Sequence, residues 1–177
     1  MGWHSQPTRM VTLEDVRIPA SNRVGEEGDG FAIAMKGLDG GRLNIATCSL
    51  GGAQAALLRA RNYLHERQQF GKPLAAFQAL QFKLADMATN LVAARQMVRL
   101  GAFKLDAGDP EATLHCAMAK RFATDACFEV ANEALQLHGG YGYMWEYPIA
   151  RAYADARVQR IYGGTNEIMK EIIGRAL

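Results

Sequence analysis

The chain has 177 residues, of which 49% are hydrophobic, with 20 basic and 18 acidic side chains and a net charge of +2. This composition indicates a folded domain with its own apolar core and argues against a disordered chain. The near balance of charge argues against nucleic acid as the main partner, because phosphate binding requires basic residues in excess on one face.

The cysteines and histidines give no sign of a disulfide framework or a metal site. Cys48, Cys116 and Cys127 lie among apolar residues without a paired spacing, which predicts buried thiols in a reducing compartment. The four histidines lack metal-ligand spacing, so we expect no metal. No apolar run is long enough to span a membrane and no apolar leader is visible. We therefore expect an intracellular protein, cytoplasmic or, in a eukaryote, of the mitochondrial matrix, with no membrane partner.

The first 29 residues differ in pattern from the rest of the chain. Apolar and β-branched residues over Met10–Pro19 predict a strand, and the charges and glycines of Arg23–Gly30 predict a loop. A single strand is not stable alone, so this one either packs on helices or belongs to a sheet upstream. We interpret residues 1–29 as the remnant of a β domain with its linker, and residues 30–177 as a helical domain.

The helical domain begins with two predicted helices, a short one over Phe31–Leu38 and a long one capped by Asp39 and ending near Arg67. Apolar residues spaced by three and four give the long helix one buried face. A turn over Phe70–Leu74 leads to a third helix over Phe77–Asp106.

Capping signals define the remaining helices. Asp109 and Pro110 begin the fourth helix, which ends at the paired glycines Gly139 and Gly140. Two shorter helices begin at Pro148 and near Thr165. The whole pattern predicts an all-α, up-and-down antiparallel helical bundle with a short N-terminal β segment. These patterns alone do not name a function.

Five collinear segments resemble the acyl-CoA dehydrogenase family in its C-terminal domain and in the end of its middle β domain. They are Gly2–Pro19, Gly37–Ala46, Glu66–Lys72, Gln136–Tyr143 and Ile161–Ile168. Within that family the chain is most similar to the isobutyryl-CoA and short branched-chain members.

The resemblance implies an FAD-dependent oxidoreductase of fatty acid or branched-chain amino acid catabolism. Members of the family dehydrogenate an acyl-CoA thioester between its α and β carbons and pass electrons to an electron-transfer flavoprotein. The resemblance also implies a homotetramer or homodimer, in which part of each cofactor site comes from a neighbouring subunit. It further implies that the sequence is a fragment, because the N-terminal helical domain and most of the middle sheet have no counterpart in it.

Matching positions carry the family's binding roles into this sequence. FAD contacts are expected at Arg67, Phe77, Gln78, Gln136, Leu137, His138, Gly139, Gly140, Thr165, Asn166 and Glu167. Substrate contacts are expected at Asp39, Gly40, Gly41, Arg42, Tyr162 and Arg175. Simpler interpretations stay open for several of them: a solvated helix end for Arg67, a helix C-cap for Gln136 and its glycines, packing for Tyr162, and an unengaged terminus for Arg175.

The sequence departs from the family at the catalytic base. Family members place a glutamate at one of two positions, which here are Gly163 and Gly41, so no catalytic residue is assigned. Asp39 is not expected to replace the missing base. It lies two residues before Gly41, and two residues along a helix turn a side chain by about 200°. Two hypotheses remain: part of a working flavoenzyme, or a catalytically silent bundle that oligomerises. A third, a metal-carboxylate bundle, lacks ligands.

Overall fold

The computed structural model describes residues 1–177 and is built from five α-helices. They are α1 (Gly30–Glu66), α2 (Gln78–Asp106), α3 (Ala112–Leu137), α4 (Pro148–Ala156) and α5 (Asn166–Ala176). Two-residue strands β1 (Gln68–Gln69) and β2 (Lys72–Pro73) form an antiparallel hairpin between α1 and α2, with Gln68 opposite Pro73. No helix is both long and apolar enough to cross a membrane.

The three long helices form the predicted bundle, and α3 is its centre because it packs against both α1 and α2. Small side chains dominate the contact between α1 and α3, among them Ala46, Ala60, Ala119 and Ala134, all fully buried. Small residues allow two helix backbones to approach closely. The core between the helices therefore consists largely of alanines, with a few larger side chains such as Leu64.

The prediction of two separate helices before Arg67 is wrong, because α1 continues unbroken through Asp39, Gly40 and Gly41. Asp39 does not cap a helix; its carboxylate binds Arg42 and Thr113 instead. Each glycine costs a helix about 1 kcal/mol relative to alanine. Packing of the following turns against α3 offsets that cost, since tertiary burial supplies most helix stability.

The strand predicted over Met10–Pro19 is also wrong. Those residues are exposed and form no ladder, and the only regular element before α1 is a 3₁₀ turn at Ala20–Asn22. A strand requires a partner for its backbone N–H and C=O groups, and no other segment lies beside it. The assignment of residues 1–29 to a β domain stays a prediction.

The ends of α3 and the start of α5 lie near the predicted capping signals, but Asp109 does not cap α3. The fourth predicted helix begins at Ala112 rather than at Pro110, because Asp109 Oδ1 accepts the N–H of Glu111 (2.8 Å) in a turn before it. Gly139 follows the end of α3 with φ of +58°, the left-handed conformation that a C-terminal glycine supplies. Thr165 caps α5 by accepting the N–H of Ile168 at 3.3 Å.

Candidate functional site

A cleft of about 780 Å³ lies where the C-terminal ends of α1 and α3 meet the β hairpin. We call it the α1–α3 cleft, and it is lined by Tyr63, Arg67, Gln69, Leu74, Leu80, Lys83, Gln136, Leu137, His138, Gly139, Gly140, Tyr141 and Met144. The structure therefore brings Arg67 together with the segment Gln136–Gly140, which lies about seventy residues further along the chain. Both were expected to contact a cofactor.

Arg67 follows the last residue of α1, and its backbone joins the hairpin because its carbonyl accepts the N–H of Leu74 at 2.8 Å. Its guanidinium is exposed, lies 5.9 Å from the ring centre of Tyr141, and forms no ion pair. A guanidinium without a carboxylate partner at the mouth of a cleft is suited to bind an anionic phosphate.

The opposite wall of the α1–α3 cleft is the turn that ends α3. His138 is buried, donates from Nδ1 to the carbonyl of Ala134 (2.7 Å), and stacks on Tyr63 at 4.5 Å. Burial raises the pKa of the Tyr63 hydroxyl, and the nearby Arg67 partly opposes this. No atom lies within 4 Å of where a side chain would begin on Gly139 or Gly140, so the backbone there is open to a ligand.

Five of the expected cofactor residues do not line this cleft: Phe77 and Gln78, and also Thr165, Asn166 and Glu167, which lie at the start of α5. Phe77 and Gln78 lie at the start of α2, where Phe77 packs edge-on against Phe70 and beneath the ammonium of Lys72, 4.2 Å from its ring centre. A cofactor in the α1–α3 cleft would reach Phe77 and Gln78 only by extending beyond the cleft to the start of α2.

A second region lies where Ile161–Thr165, which we call the glycine turn, crosses α1. Gly163 and Gly164 both adopt left-handed conformations, with φ of +66° and +88°. A Cβ on Gly163 would overlap Cδ1 of Ile45, whereas a Cβ on Gly41 would meet nothing within 4 Å. Tyr162 is half-buried with the indole of Trp3 edge-on at 4.9 Å, and burial raises the pKa of its hydroxyl.

Asp39 and Arg42 lie in the same half of α1 but are engaged with each other. Arg42 Nη1 donates to Asp39 Oδ1 at 2.6 Å, and the hydroxyl of Thr113 donates to Asp39 Oδ2 at 2.6 Å. Both carboxylate oxygens of Asp39 are thus occupied. The Nε of Arg42 is buried and has no partner. Gly40 and Gly41 lie between them, half-exposed on the helix.

The start of α5 presents Thr165 and Glu167 outward but turns Asn166 inward. Asn166 is only 3% exposed, and its side chain binds residues of α3, so its backbone alone is available to a ligand. The pKa of Glu167 is lowered, first by its own backbone N–H and then by the Thr165 hydroxyl. Arg175, at the other end of α5, is exposed and paired with Glu171 at 2.5 Å, beside a shallow depression next to Pro110.

Sequence reasoning missed three residues of these regions. Tyr63 and Tyr141 frame Arg67, and the signal for Tyr63 was its position four residues before Arg67 on the same helix face. Lys120, on α3, is fully buried and donates to the carbonyl of Gly164 at 2.8 Å. Its signal was a lysine among alanines on the buried stripe of α3.

The fold and the cleft together define an all-helical domain with an open backbone turn and an unpaired arginine at the same surface. The sequence model of "Acyl-CoA dehydrogenase, C-terminal domain" matches residues 28–177. The mitochondrial isobutyryl-CoA dehydrogenase of Bos taurus is 54% identical over all 177 residues, which span 42% of that relative's length. The chain belongs to the acyl-CoA dehydrogenase family, in the part that forms its C-terminal domain.

Solved structures agree with this membership. The butyryl-CoA dehydrogenase of Megasphaera elsdenii superposes with a TM-score of 0.89 at 49% identity, covering 93% of this chain and 43% of that one. A structure described as the FAD complex of PigA superposes with a TM-score of 0.85 at 32% identity, covering 93% of this chain and 43% of that chain.

Proposed function

We propose that this chain forms the C-terminal helical part of an FAD-dependent acyl-CoA dehydrogenase that acts on a short or branched acyl-CoA thioester. The observation that carries the proposal is the meeting of Arg67 with Gln136–Gly140 in one cleft. An anionic dinucleotide is favoured by a cation and by backbone that it can approach closely, and the α1–α3 cleft offers the two within one surface.

FAD, when bound, supplies the acceptor for the hydride that leaves the substrate. In this proposal Arg67 pairs with the cofactor's phosphates, and Gly139 and Gly140 let the backbone approach them closely. Thr165 and Glu167 contribute from the start of α5, a separate surface of the same chain. The α1–α3 cleft then serves a cofactor of a neighbouring copy, which is why we propose a homotetramer or homodimer.

The proposed substrate lies along the first half of α1 beside the glycine turn. Gly40 and Gly41 would let the thioester approach the helix backbone, while Tyr162 borders the acyl group. Arg175 would meet the phosphates of CoA, since it is exposed and paired only with a surface glutamate. The proposed electron acceptor is an electron-transfer flavoprotein, as in the family that the chain resembles.

A second candidate function is a catalytically silent bundle that oligomerises. The observation in its favour is the absence of a carboxylate at Gly41 and Gly163, combined with the engagement of Asp39 by Arg42 and Thr113. Removal of a general base costs a reaction about 10²- to 10⁴-fold in rate. A chain of this kind folds and oligomerises without turning substrate over.

Absorption spectroscopy of the purified 177-residue chain tests the proposal. The protein is incubated with FAD, separated from unbound cofactor by gel filtration, and examined before and after addition of isobutyryl-CoA without oxygen. We expect a retained flavin band that is weakened in Arg67→Ala and unchanged in Arg61→Ala. Arg61 is a suitable control because it is exposed on α1 and its guanidinium hydrogen-bonds only to its neighbour Asn62.

Each outcome separates the two candidate functions. A flavin band that bleaches with isobutyryl-CoA supports the enzyme and demands a base other than residues 41 and 163. A flavin band that persists supports a binding-competent but silent domain. A colourless oligomer supports the silent bundle and contradicts the expectation that this chain retains FAD without further domains.

A further inference from the structure

The ammonium of Lys120 is the most deeply buried charge in the chain. Lys120 projects from the middle of α3, has no exposed surface, and donates to the carbonyl of Gly164 (2.8 Å) and to Asn166 Oδ1 (2.9 Å). Both acceptors lie beyond Gly163 in the chain. The side chain therefore spans from the centre of the bundle to the far flank of the glycine turn.

Asp125, on α3, binds residues on both sides of the glycine turn. Asn166 Nδ2 donates to Asp125 Oδ1 at 3.0 Å, and the guanidinium Nε of Arg160 pairs with that same oxygen at 2.6 Å. Thr124 links the two halves by hydrogen bonds with the Asn166 amide. Residues immediately before and after the glycine turn are thus tied to adjacent turns of α3.

The backbone of the turn needs this external support. Gly163 and Gly164 are left-handed, and the carbonyl of Gly164 accepts no backbone hydrogen bond. Glycine has the greatest conformational freedom to lose on folding, so two in succession give a turn with little intrinsic order. Lys120 supplies the one hydrogen bond that fixes the second glycine.

Burial of an ammonium is unfavourable, and burial lowers the pKa of Lys120 to about 8. A methionine at this buried site would fill a similar volume without that cost. A lysine here is consequently explained by what its ammonium binds rather than by packing.

We propose that Lys120 is a positioning residue, which fixes the Gly163–Gly164 backbone beside Ile45 and so sets the shape of the acyl end of the site. The second part rests on the proposed function, since it assumes that an acyl-CoA binds beside the glycine turn. The first part depends only on the contacts of the chain itself.

Lys120→Met tests the inference, because methionine keeps the side-chain volume and removes every donor. Selective ¹⁵N-glycine labelling gives the heteronuclear NOE of Gly163 and Gly164 directly. We expect both values to fall in the variant while that of Gly139, in a different turn, stays unchanged. Affinity for isobutyryl-CoA should weaken measurably, because binding beside a disordered turn must also order that turn.

Lys104→Met is the matched control. Lys104 is also a paired lysine within the bundle, but it binds Asp109 and Glu111 and does not touch the glycine turn. Its removal should leave the turn and the affinity for isobutyryl-CoA unchanged. Should Lys120→Met fail to fold, Lys120→Gln replaces it, since glutamine keeps a polar head but is one bond too short to reach Gly164.

The outcomes distinguish failure of the inference from failure of the proposed function. Unchanged NOE values at Gly163 and Gly164 in a folded Lys120 variant overturn the positioning role, even if the melting temperature falls. Lower NOE values with an unchanged affinity for isobutyryl-CoA overturn the link to the acyl site. A wild-type chain that binds no isobutyryl-CoA contradicts the proposed function, and the NOE comparison still decides whether Lys120 orders the turn.

Discussion

Cδ1 of Ile45, on α1, occupies the space that a side chain on Gly163 would need. The two residues are separated by more than one hundred positions in the chain and meet because the glycine turn crosses the first half of α1. At one of the two positions where the resemblance places a base, a side chain therefore requires Cδ1 of Ile45 to move, whereas at the other, Gly41, the space is open. This asymmetry leads to the first two predictions.

Alanine substitutions at the two glycines should have opposite effects on stability. Gly163→Ala places a Cβ on a left-handed residue and against Ile45, and should lower the free energy of unfolding by about 2 kcal/mol or more. Gly41→Ala lies in a regular helix with nothing within 4 Å, and should raise it by about 1 kcal/mol. Urea unfolding followed by circular dichroism measures both. Equal effects of the two substitutions would contradict the packing of Ile45 described above.

A carboxylate should be tolerated at position 41 and rejected at position 163. In the flavin-bound protein, Gly41→Glu is expected to raise the rate of flavin bleaching by isobutyryl-CoA by about 10²-fold or more, the usual contribution of a general base. Gly163→Glu should do so only when Ile45→Ala is added to make room. Stopped-flow absorbance under anaerobic conditions gives these rates, with Gly41→Gln as the control that keeps the shape without the base. If Gly163→Glu alone is as active as Gly41→Glu, Ile45 does not close the position.

Lys120 should make stability rise with pH above 8. The native pKa is about 8 and the ordinary value is 10.5, so between these values the unfolded chain binds more protons than the native one. The free energy of unfolding then increases with pH through this window, by about 1.4 kcal/mol for each unit of pKa difference. Below pH 8 the ammonium is charged in both states and the cost of burial is fully present.

The measurement is urea unfolding at several pH values for the wild type and for Lys120→Met. The difference in the free energy of unfolding between the two chains isolates the contribution of Lys120. Cys116 and Cys127 have the opposite dependence on pH, but both chains contain them and their contributions cancel. Burial raises their pKa values to about 11 and about 12, so they remain protonated in the native state and lower stability above pH 9. Asp125 and Glu167, which favour the charged lysine, are present in both chains. A difference that does not change between pH 8 and 10.5 would refute a depressed pKa at Lys120.

Removal of the α5 cap should destabilise the chain by a predictable amount. Thr165 accepts the N–H of Ile168, and loss of an N-terminal cap costs about 1 kcal/mol. We expect Thr165→Ala to show that loss in thermal unfolding and Thr165→Ser to retain most of the wild-type stability. If alanine and serine behave alike, the threonine hydroxyl does not cap α5.

Local signals in the sequence predicted α2 to within one residue and the left-handed end of α3 at Gly139, because spacing and caps act over a few residues. They failed at the start of α1, where they predict that Asp39 caps a new helix although the helix is continuous. Packing against α3 keeps that helix continuous, and no local pattern contains that information. They also failed for Met10–Pro19, since β-branched residues form a strand only where a partner strand is available.

For the candidate site, the sequence by itself determined the residue types: an arginine after α1, paired glycines after α3, and glycine at both positions where the resemblance places a base. The tertiary structure alone decided which of these meet. It brings Arg67 to Gln136–Gly140 and places Ile45 against Gly163. It also hydrogen-bonds Asp39 to Thr113 and buries Lys120 against Gly164. The physical reason is that helix periodicity specifies which face of each helix is buried, whereas contacts between residues far apart in the chain depend on how the packed faces align.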